Sequence, residues 1–288
     1  MDGIERLLQS AYSTDSHGFL PFSVGDEVVG WVRPALAQVL RKFPKVFRHD
    51  AAGAVQLHAQ LDNPHARSQA MAVIARELAR TGVITGWRDE LYAIRSGVAA
   101  REAPLLCIER AAARAFGITS CAVHVNGVVT MGAEPSMWIA RRSLSKPIDP
   151  GMLDNMIGGG LAAGLSVRET LVKEAWEEAG LTAEQVVVAS AGRHLRIRRE
   201  VPEGLQSEVI FVHDLVLPPD VMPRNTDGEV SEFQRLPVSA VIELLREGGE
   251  ITADASLVIL DWLDRRGILR LPDSGQARAI FARATPRS

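Results

Sequence analysis

Apolar residues in the first 117 positions recur at spacings that predict short helices alternating with short strands. The helical spacing is clearest after Asp62-Asn63-Pro64, where Met71, Ile74, Leu78 and Val83 follow at intervals of three to five residues. Further helices are predicted over residues 4–12, 34–43 and 105–116, strands over 27–32 and 89–96, and a hairpin around 51–53. This pattern indicates a first α/β domain over residues 1–117.

From Ile118 onward the pattern becomes one of extended segments. Asn126-Gly127, flanked by apolar residues, predicts a two-residue hairpin turn. Strands are predicted over residues 135–143, 186–192, 195–200, 209–217 and 232–236, and helices over 238–247 and 253–266. A helix enclosed between such strands predicts a mixed sheet within an α/β/α sandwich, forming a second domain over residues 118–288.

Residues 158–181, GGGLAAGLSVRETLVKEAWEEAGL, combine a glycine turn with a strongly marked helix. Ser166 followed by Glu169 has the spacing of a capping box, and Gly180 is a typical C-terminal residue, so a helix is predicted from about 167 to 179. Glu174, Glu177 and Glu178 then share one helical face, with Cβ atoms roughly 5–6 Å apart. Three adjacent carboxylates repel one another unless a cation binds, and an all-oxygen set suits Mg²⁺, with Mn²⁺ as a substitute.

The same stretch resembles the Nudix box, in which a glycine is followed after five residues by a glutamate and, after seven more, by Arg-Glu-aliphatic-x-Glu-Glu-x-Gly-aliphatic. In this chain the box begins at Gly159 and continues through Lys173, Glu174, Glu177 and Glu178, and it departs from the family pattern at two positions. Lys173 replaces the arginine, and Leu165 replaces the first glutamate. A solvated surface helix is the alternative interpretation, but the glycine loop and the Gly-Leu end favour a site.

Three longer segments extend the resemblance to two-part Nudix proteins related to thiamine diphosphate metabolism. These are residues 18–34, 108–118 and 138–166, so the resemblance covers nearly the whole chain. Relatives in that group also tend to lack the first glutamate, which makes Leu165 a trait of the group. The resemblance implies a magnesium-dependent hydrolase that converts a small organic diphosphate, such as thiamine, oxothiamine or oxythiamine diphosphate, into a monophosphate and phosphate.

The resemblance also implies residue roles. Glu174 and Glu178 are the first choices as metal ligands, with Glu177 third, Lys173 paired to Glu177, and Gly159 and Gly160 beside the substrate. Because Leu165 leaves the general base open, the acidic segment with Asp227, Glu229 and Glu232 is a candidate source, Glu229 first. A solvated acidic loop is the equal alternative.

Basic and aromatic residues before the box are candidate substrate contacts. Arg141 and Arg142 end a strand that leads toward the box, and guanidinium groups match phosphate oxygens. Lys146, Arg193 and Arg196 are weaker candidates. Trp138 could stack on a heteroaromatic ring, although core packing is the commoner role of such a tryptophan.

Composition narrows the class of protein. The 288 residues carry a net charge of −3, which argues against nucleic acid as a partner. No apolar stretch approaches 18 residues, which argues against a membrane-spanning helix. We expect a cytoplasmic protein whose partner is a small molecule, with a homodimer as one candidate assembly. Cys107 and Cys121 are expected to be reduced, buried and inert, and His124 and His213 to be structural.

Two other classes remain open. A binding module could retain the fold and bind a nucleotide or thiamine compound without cleaving it, and a Nudix hydrolase could prefer a nucleoside diphosphate derivative such as ADP-ribose. An enzyme similar to isopentenyl-diphosphate isomerase would need a catalytic cysteine facing the substrate. Cys107 and Cys121 lie before and at the start of the second domain, which gives that alternative little support.

Overall fold

The computed structural model describes residues 2–13, 15, 17–96, 103–132 and 134–281. The first half contains α1 (Gly3–Ala11), β1 (Leu20–Val24), β2 (Glu27–Val32), α2 (Pro34–Leu40), β3 (Phe47–His49), β4 (Val55–Leu57), α3 (Pro64–Arg80), β5 (Leu91–Ile94) and β6 (Leu106–Glu109). No helix in these described ranges is long and apolar enough to cross a membrane.

The first half builds its core on a four-stranded sheet in the order β2-β1-β4-β3, in which only the β1–β4 pair is parallel. Helices α2 and α3 cover this sheet with buried leucine, isoleucine and methionine side chains. Asn63 caps α3, and Pro64 lies in its first turn, as the sequence predicts. The same helix ends at Arg80, so Val83 lies beyond it and is exposed.

The helix predicted over residues 105–116 is wrong. Residues Leu106–Glu109 form strand β6, which pairs with β5, and only a single turn of 3₁₀ helix follows at Arg110–Ala112. Leu106 and Ile108 are both buried, two residues apart, which is the strand period. Pairing with β5 and packing on α3 therefore overrides the helical propensity of this alanine-rich segment.

The second half contains β7 (Thr119–Val129), β8 (Ser136–Arg142), β9 (Leu153–Asn155), β10 (Ile157–Gly160), α4 (Val167–Ala179), α5 (Ala183–Val186), β11 (Ser190–Val201), β12 (Gly204–Val216), β13 (Val230–Pro237), α6 (Val238–Glu247), α7 (Ala253–Arg265) and α8 (Gly275–Ile280). The main sheet has the order β11-β12-β7-β8-β13, with β10 beside β7 and β9 beside β8. The β12–β7 pair is parallel and the other pairs are antiparallel.

Both faces of this sheet are covered by helices. Helices α4 and α5 contribute to the core on one face, and α1, α6, α7 and α8 contribute to the core on the other. The expected α/β/α sandwich with a mixed sheet is therefore confirmed. Helix α1 comes first in the chain yet packs against α6, α8 and β11 of the second half.

The hairpin predicted at Asn126-Gly127 is wrong, because both residues lie inside the continuous strand β7. Asn126 is buried, and its side-chain amide donates to Asp214 Oδ1 at 3.0 Å, so its polarity is satisfied within the core. A Cβ atom at Gly127 would lie 2.2 Å from the Met156 sulfur, which explains the glycine by close packing. The strand predicted over 186–192 is also shifted, since α5 precedes β11.

The helix, capping box and C-terminal glycine predicted within residues 158–181 are confirmed. Helix α4 spans Val167–Ala179, and Ser166 and Glu169 form both hydrogen bonds of a capping box. Gly180 ends the helix with a φ of 63°, a left-handed conformation that glycine adopts without steric cost. The entry and exit of α4 are thus encoded within the segment itself.

Gly117, at the end of the first half, permits a close backbone contact that tests the fold. It has a φ of 56°, and a Cβ atom there would lie 2.3 Å from the Trp31 carbonyl oxygen. Gly18 has a φ of 86° with no atom within 4 Å of the same position, so it is a matched control. We expect Gly18→Ala to cost roughly 1 kcal/mol of unfolding free energy and Gly117→Ala about 1–3 kcal/mol more. Equal losses in urea unfolding would contradict the close contact.

Candidate active site

Helix α4 carries two buried carboxylates to the centre of the site. Leu171, Ala175 and Ala179 belong to the core on this face of the sheet. Glu174 and Glu178 are next to these core residues in the helix and are only 8% and 6% exposed. Glu177 is half-exposed, as expected for a residue at the edge of the buried face.

The glycines of β10 allow these carboxylates to approach the backbone. The Gly158 N–H donates to Glu178 Oε2 at 2.7 Å. A Cβ atom at Gly159 would lie 2.2 Å from Glu174 Cδ, and one at Gly160 would lie 2.0 Å from the Tyr92 hydroxyl. Any larger residue at Gly159 would therefore displace Glu174, so the glycine strand and the acidic helix form one unit.

Lys173 neutralises the outer part of the acidic face. Its Nζ donates to Glu177 Oε2 at 2.7 Å, the pair that the sequence predicts, and also to Glu174 Oε1 at 3.0 Å. The lysine thus occupies one oxygen of each carboxylate. Glu178 lies outside this pairing and is bound by the backbone instead.

Burial makes the charged state of the inner carboxylates unfavourable when no cation is present. It raises the pKa of Glu178 to about 8, against the opposing effect of the Gly158 N–H. Burial also raises the pKa of Glu174, although Lys173 acts in the other direction. A bound cation would favour the charged forms of both groups.

The donor set fits a hard divalent cation in part. Within the described ranges, no group of three or more histidine, cysteine, aspartate or glutamate side chains lies close enough to bind a metal ion. Lys173 donates to both Glu174 and Glu177, but only Glu174 and Glu178 are buried against the glycine strand, so these two are the candidate ligands. Mg²⁺ commonly takes one or two carboxylates and completes its shell with water and phosphate oxygens, so this pair suits it.

A cavity of about 110 Å³ lies along Gly158–Gly160, and Arg142 and Lys146 are among its lining residues. Arg142 is anchored by Asp154 Oδ2 at 2.6 Å and by the Ile148 carbonyl. Arg141 instead donates to the Gly151 carbonyl at 2.9 Å and lies 3.6 Å from Glu232. Consecutive strand residues point to opposite faces, which separates the two arginines, and only Arg142 lines this cavity.

The acidic segment before β13 is attached to the C-terminal end of α4. The Thr226 N–H donates to the Glu177 carbonyl at 2.9 Å, and the Arg224 N–H donates to the Ala179 carbonyl at 2.8 Å. This attachment brings Glu229 into an ion pair with Lys146. Glu229 is thus placed beside the cavity with a cationic partner.

Trp138 and Arg193 lie away from this cavity. Trp138 is 6% exposed and packs in the core beneath α4, so its placement matches the core alternative and does not support stacking on a substrate. Arg193 forms ion pairs with Asp261 and Asp264 of α7. The exposed Arg196 lines a different cavity.

The remaining sequence candidates have structural surroundings. His124 Nδ1 is 2.8 Å from Asn155 Oδ1, and His213 Nδ1 is 3.2 Å from the Phe211 carbonyl, as expected for histidines satisfied within strands. Both cysteines are free thiols, yet each is half-buried where full burial was expected. Burial raises the pKa of Cys107, and that of Cys121 to about 12, which disfavours the reactive thiolate.

Several cavity residues have no signal in the sequence. Tyr92 comes from β5, and the first half also contributes Arg88, Arg110 and Arg114 to the cavities beside the glycine strand. They are scattered through segments without a motif. Only the packing of the first half against β7 and β10 brings them to the site.

Two family models match this chain, one in each half. Residues 3–120 match a domain of unknown function, DUF4743, and residues 122–255 match the NUDIX domain. Nudix hydrolase 24, chloroplastic, of Arabidopsis thaliana is 38% identical over 260 residues, covering 89% of this chain and 70% of its own length. Nudix hydrolase 20, chloroplastic, of the same plant is 36% identical over 269 residues, with the same coverage.

Other matches have lower sequence identity and cover less of this chain. An uncharacterized protein of Saccharomyces cerevisiae is 32% identical over 200 residues, covering 65% of this chain and 57% of its own length. Among solved structures, the NUDIX domain of Shewanella oneidensis NrtR complexed with ADP ribose is 14% identical, with a TM-score of 0.41. That alignment covers 53% of this chain and 91% of the other, and it is too weak to bear on substrate.

The raised pKa of Glu178 predicts how the metal-free protein responds to pH. A carboxyl group whose pKa is higher in the folded state stabilises the fold below its unfolded pKa, near 4.5, and this contribution is lost as pH rises toward about 8. In EDTA, the melting temperature of the wild type should therefore fall relative to Glu178→Gln between pH 5 and 8. Magnesium at pH 8 should raise the melting temperature of the wild type and leave that of Glu178→Gln unchanged. A melting-temperature difference that stays constant over this range would contradict the prediction.

Proposed function

The chain belongs to the Nudix hydrolase family and is a pyrophosphohydrolase of that type, and from this premise we propose that it cleaves a small organic diphosphate to a monophosphate and phosphate. The observation that carries the proposal is the pairing of opposite charges around one glycine strand. Glu174 and Glu178 lie against β10, and the cavity along the same strand contains Arg142 and Lys146. Such a site can bind a metal and a diphosphate side by side.

Each residue has a proposed task within this site. Glu174 and Glu178 would bind Mg²⁺, and the ion would neutralise charge on the phosphate oxygens and favour the attacking water. Arg142 is anchored by Asp154 and carbonyl oxygens, so it presents a fixed charge to a phosphate. Lys173 limits the repulsion between Glu174 and Glu177.

Glu229 is the proposed general base. Lys146 is the basic group paired with it, and Lys146 also lies within electrostatic reach of Glu178. A substrate phosphate would compete for the same ammonium group, which would leave the Glu229 carboxylate free to accept a proton from water. The attachment of residues 224–226 to α4 keeps this carboxylate close to the metal ligands.

Thiamine diphosphate or an oxidised form, such as oxothiamine or oxythiamine diphosphate, is the proposed substrate. The resemblance of residues 18–34, 108–118 and 138–166 to two-part Nudix proteins related to thiamine diphosphate metabolism supports this substrate. A second cavity of about 230 Å³ adjoins the first and is lined in part by Tyr92, Ile118 and Ile148. An aromatic and aliphatic wall beside cationic residues suits an organic ring attached to a diphosphate.

Four further properties stay proposals. We retain the domain boundary between Gly117 and Ile118, a homodimer as the candidate assembly and the cytoplasm as the location. The proposed partner is the small-molecule substrate itself, with neither nucleic acid nor a membrane involved. The two Arabidopsis relatives are named as chloroplastic, which is a property of those proteins.

Product analysis with purified protein and Mg²⁺ tests the proposed reaction. The compounds are thiamine, oxothiamine and oxythiamine diphosphates, ADP-ribose and a nucleoside triphosphate, with products separated by anion-exchange chromatography. We expect a monophosphate and phosphate from the thiamine group, and no product with Glu178→Gln. Preference for ADP-ribose would reject the proposed substrate and keep the hydrolase. No cleavage, together with a higher melting temperature in a thiamine compound, would instead support a binding module.

The burial of the three glutamates predicts an order among variants. Glu174→Gln and Glu178→Gln should each lower kcat by about 10²–10³-fold, because both carboxylates lie against the glycine strand. Glu177→Gln should lower it less than about tenfold, since this half-exposed residue is paired with Lys173. Steady-state kinetics at saturating Mg²⁺ measures the order. A larger loss at Glu177 would show that this residue turns toward the metal in the working enzyme.

A further inference from the structure

The first half of the chain is in direct contact with the glycine strand and the loop before α4. The Ala163 N–H donates to the Leu91 carbonyl of β5 at 2.7 Å, joining the two halves by a backbone hydrogen bond. The next residue of β5, Tyr92, is buried and places its hydroxyl where a Cβ atom of Gly160 would be. The β5–β6 hairpin is therefore a wall of the site.

Three arginines of the first half line the same cavity as Gly158–Gly160. Arg110 is paired with Glu90 at 2.7 Å and lies over the Tyr92 ring, and Arg114 is 4.0 Å from Glu203. The Arg88 guanidinium has no hydrogen bond and no ion pair with any residue in the described ranges. A half-buried guanidinium without a carboxylate partner is available for an anion.

The surroundings of Arg88 increase the demand for an anion. Burial lowers its pKa, and the neighbouring Arg110 and Arg142 charges act in the same direction. Three guanidinium groups that converge on one cavity repel one another unless negative charge lies between them. Asp154 and Glu90 form direct ion pairs with Arg142 and Arg110, whereas Arg88 has no ion pair among the described residues and interacts with the Glu90 charge without contact.

The backbone around Arg88 is built to fix its position. The Arg88 N–H donates to the buried Glu109 carboxylate at 3.0 Å, and the same carboxylate accepts from the Ala111 N–H at 3.2 Å. Asp89 has a φ of 56°, which is unusual for a residue other than glycine, and its side chain accepts from the Trp87 indole at 2.7 Å. Aspartate adopts this conformation more readily than most residues, and here it shapes the turn that carries Arg88.

We propose that the N-terminal domain supplies one wall of the substrate site and that Arg88 binds a phosphate of the substrate there. The inference rests on the proposed function and assigns a role to a region that matches a domain of unknown function. The phosphates would lie between Arg88 and Arg142, and the organic group would extend into the 230 Å³ cavity. Glu109 is then a positioning residue for Arg88.

Binding of imidodiphosphate, the P–N–P analogue of diphosphate, tests this without requiring turnover. Isothermal titration calorimetry on the full chain with Mg²⁺ would compare the wild type, Arg88→Gln, Arg88→Lys and Arg48→Gln. Arg48 is an exposed arginine of the same domain, located on β3, and is the matched control. We expect Kd to rise about tenfold or more for Arg88→Gln, less for Arg88→Lys, and not at all for Arg48→Gln.

Kinetics with any cleaved diphosphate gives a second readout. Arg88→Gln should raise KM about tenfold with a smaller effect on kcat, because the residue binds a phosphate in the ground state as well as during reaction. Far-UV circular dichroism would confirm that each variant is folded. Arg88→Lys preserves the positive charge, so a smaller effect than that of Arg88→Gln would show that the lost charge, and not a folding defect, weakens binding.

The outcomes separate this inference from the proposed function. A wild type that binds imidodiphosphate through Arg88 and cleaves nothing would reject the hydrolase proposal and support the anion-binding wall. Activity with unchanged KM and Kd in Arg88→Gln would reject the wall and keep the hydrolase. A wild type that neither binds imidodiphosphate nor cleaves any compound would reject both.

Discussion

The structure of the site depends on the contact between two buried carboxylates and a strand of glycines. Glu178 accepts the Gly158 N–H, and Glu174 fills the space that a side chain at Gly159 would take. Burial of carboxylates is unfavourable unless hydrogen bonds or a cation compensate for the lost water. Here one backbone N–H and one lysine compensate in part, and a bound cation would supply the remaining compensation. The capping box and Gly180 fix the two ends of α4, so they fix the position of both carboxylates.

One of the two residues that depart from the family pattern of the box, Leu165, lies at the contact with the N-terminal domain. Leu165, which replaces the first glutamate, is half-buried and lines a cavity with Val28, Val29 and Tyr92 of the N-terminal domain. The leucine is therefore consistent with the domain interface, and the missing carboxylate has a candidate replacement in Glu229. Two features of the sequence that look separate, an altered box and an extra domain, thus meet at one place in the structure.

Elements whose signals are local could be predicted from the sequence, and elements decided by packing could not. The ends of α4, the Asn63-Pro64 start of α3 and the β2 strand follow from capping residues and periodicity. Asn126-Gly127 has the chemistry of a turn, yet pairing with β12 and the hydrogen bond to Asp214 keep it within a strand. The site divides in the same way. The glutamates and glycines are adjacent in the chain, whereas Arg88 and Tyr92 reach the cavity only through the contact between domains.

The distribution of charge around the glycine strand also suggests why the two domains belong to one functional unit. The acidic groups of α4 come from a single helix, but the arginines beside the strand come from both halves of the chain. The backbone hydrogen bond from Ala163 to Leu91 fixes the distance between these two sets. A diphosphate between them could meet a metal on the acidic side and guanidinium groups on the basic side, and both domains would contribute to neutralising its phosphates. Binding would then strengthen the contact between domains, because Arg88 of the first domain and Arg142 of the second would bind the same ligand.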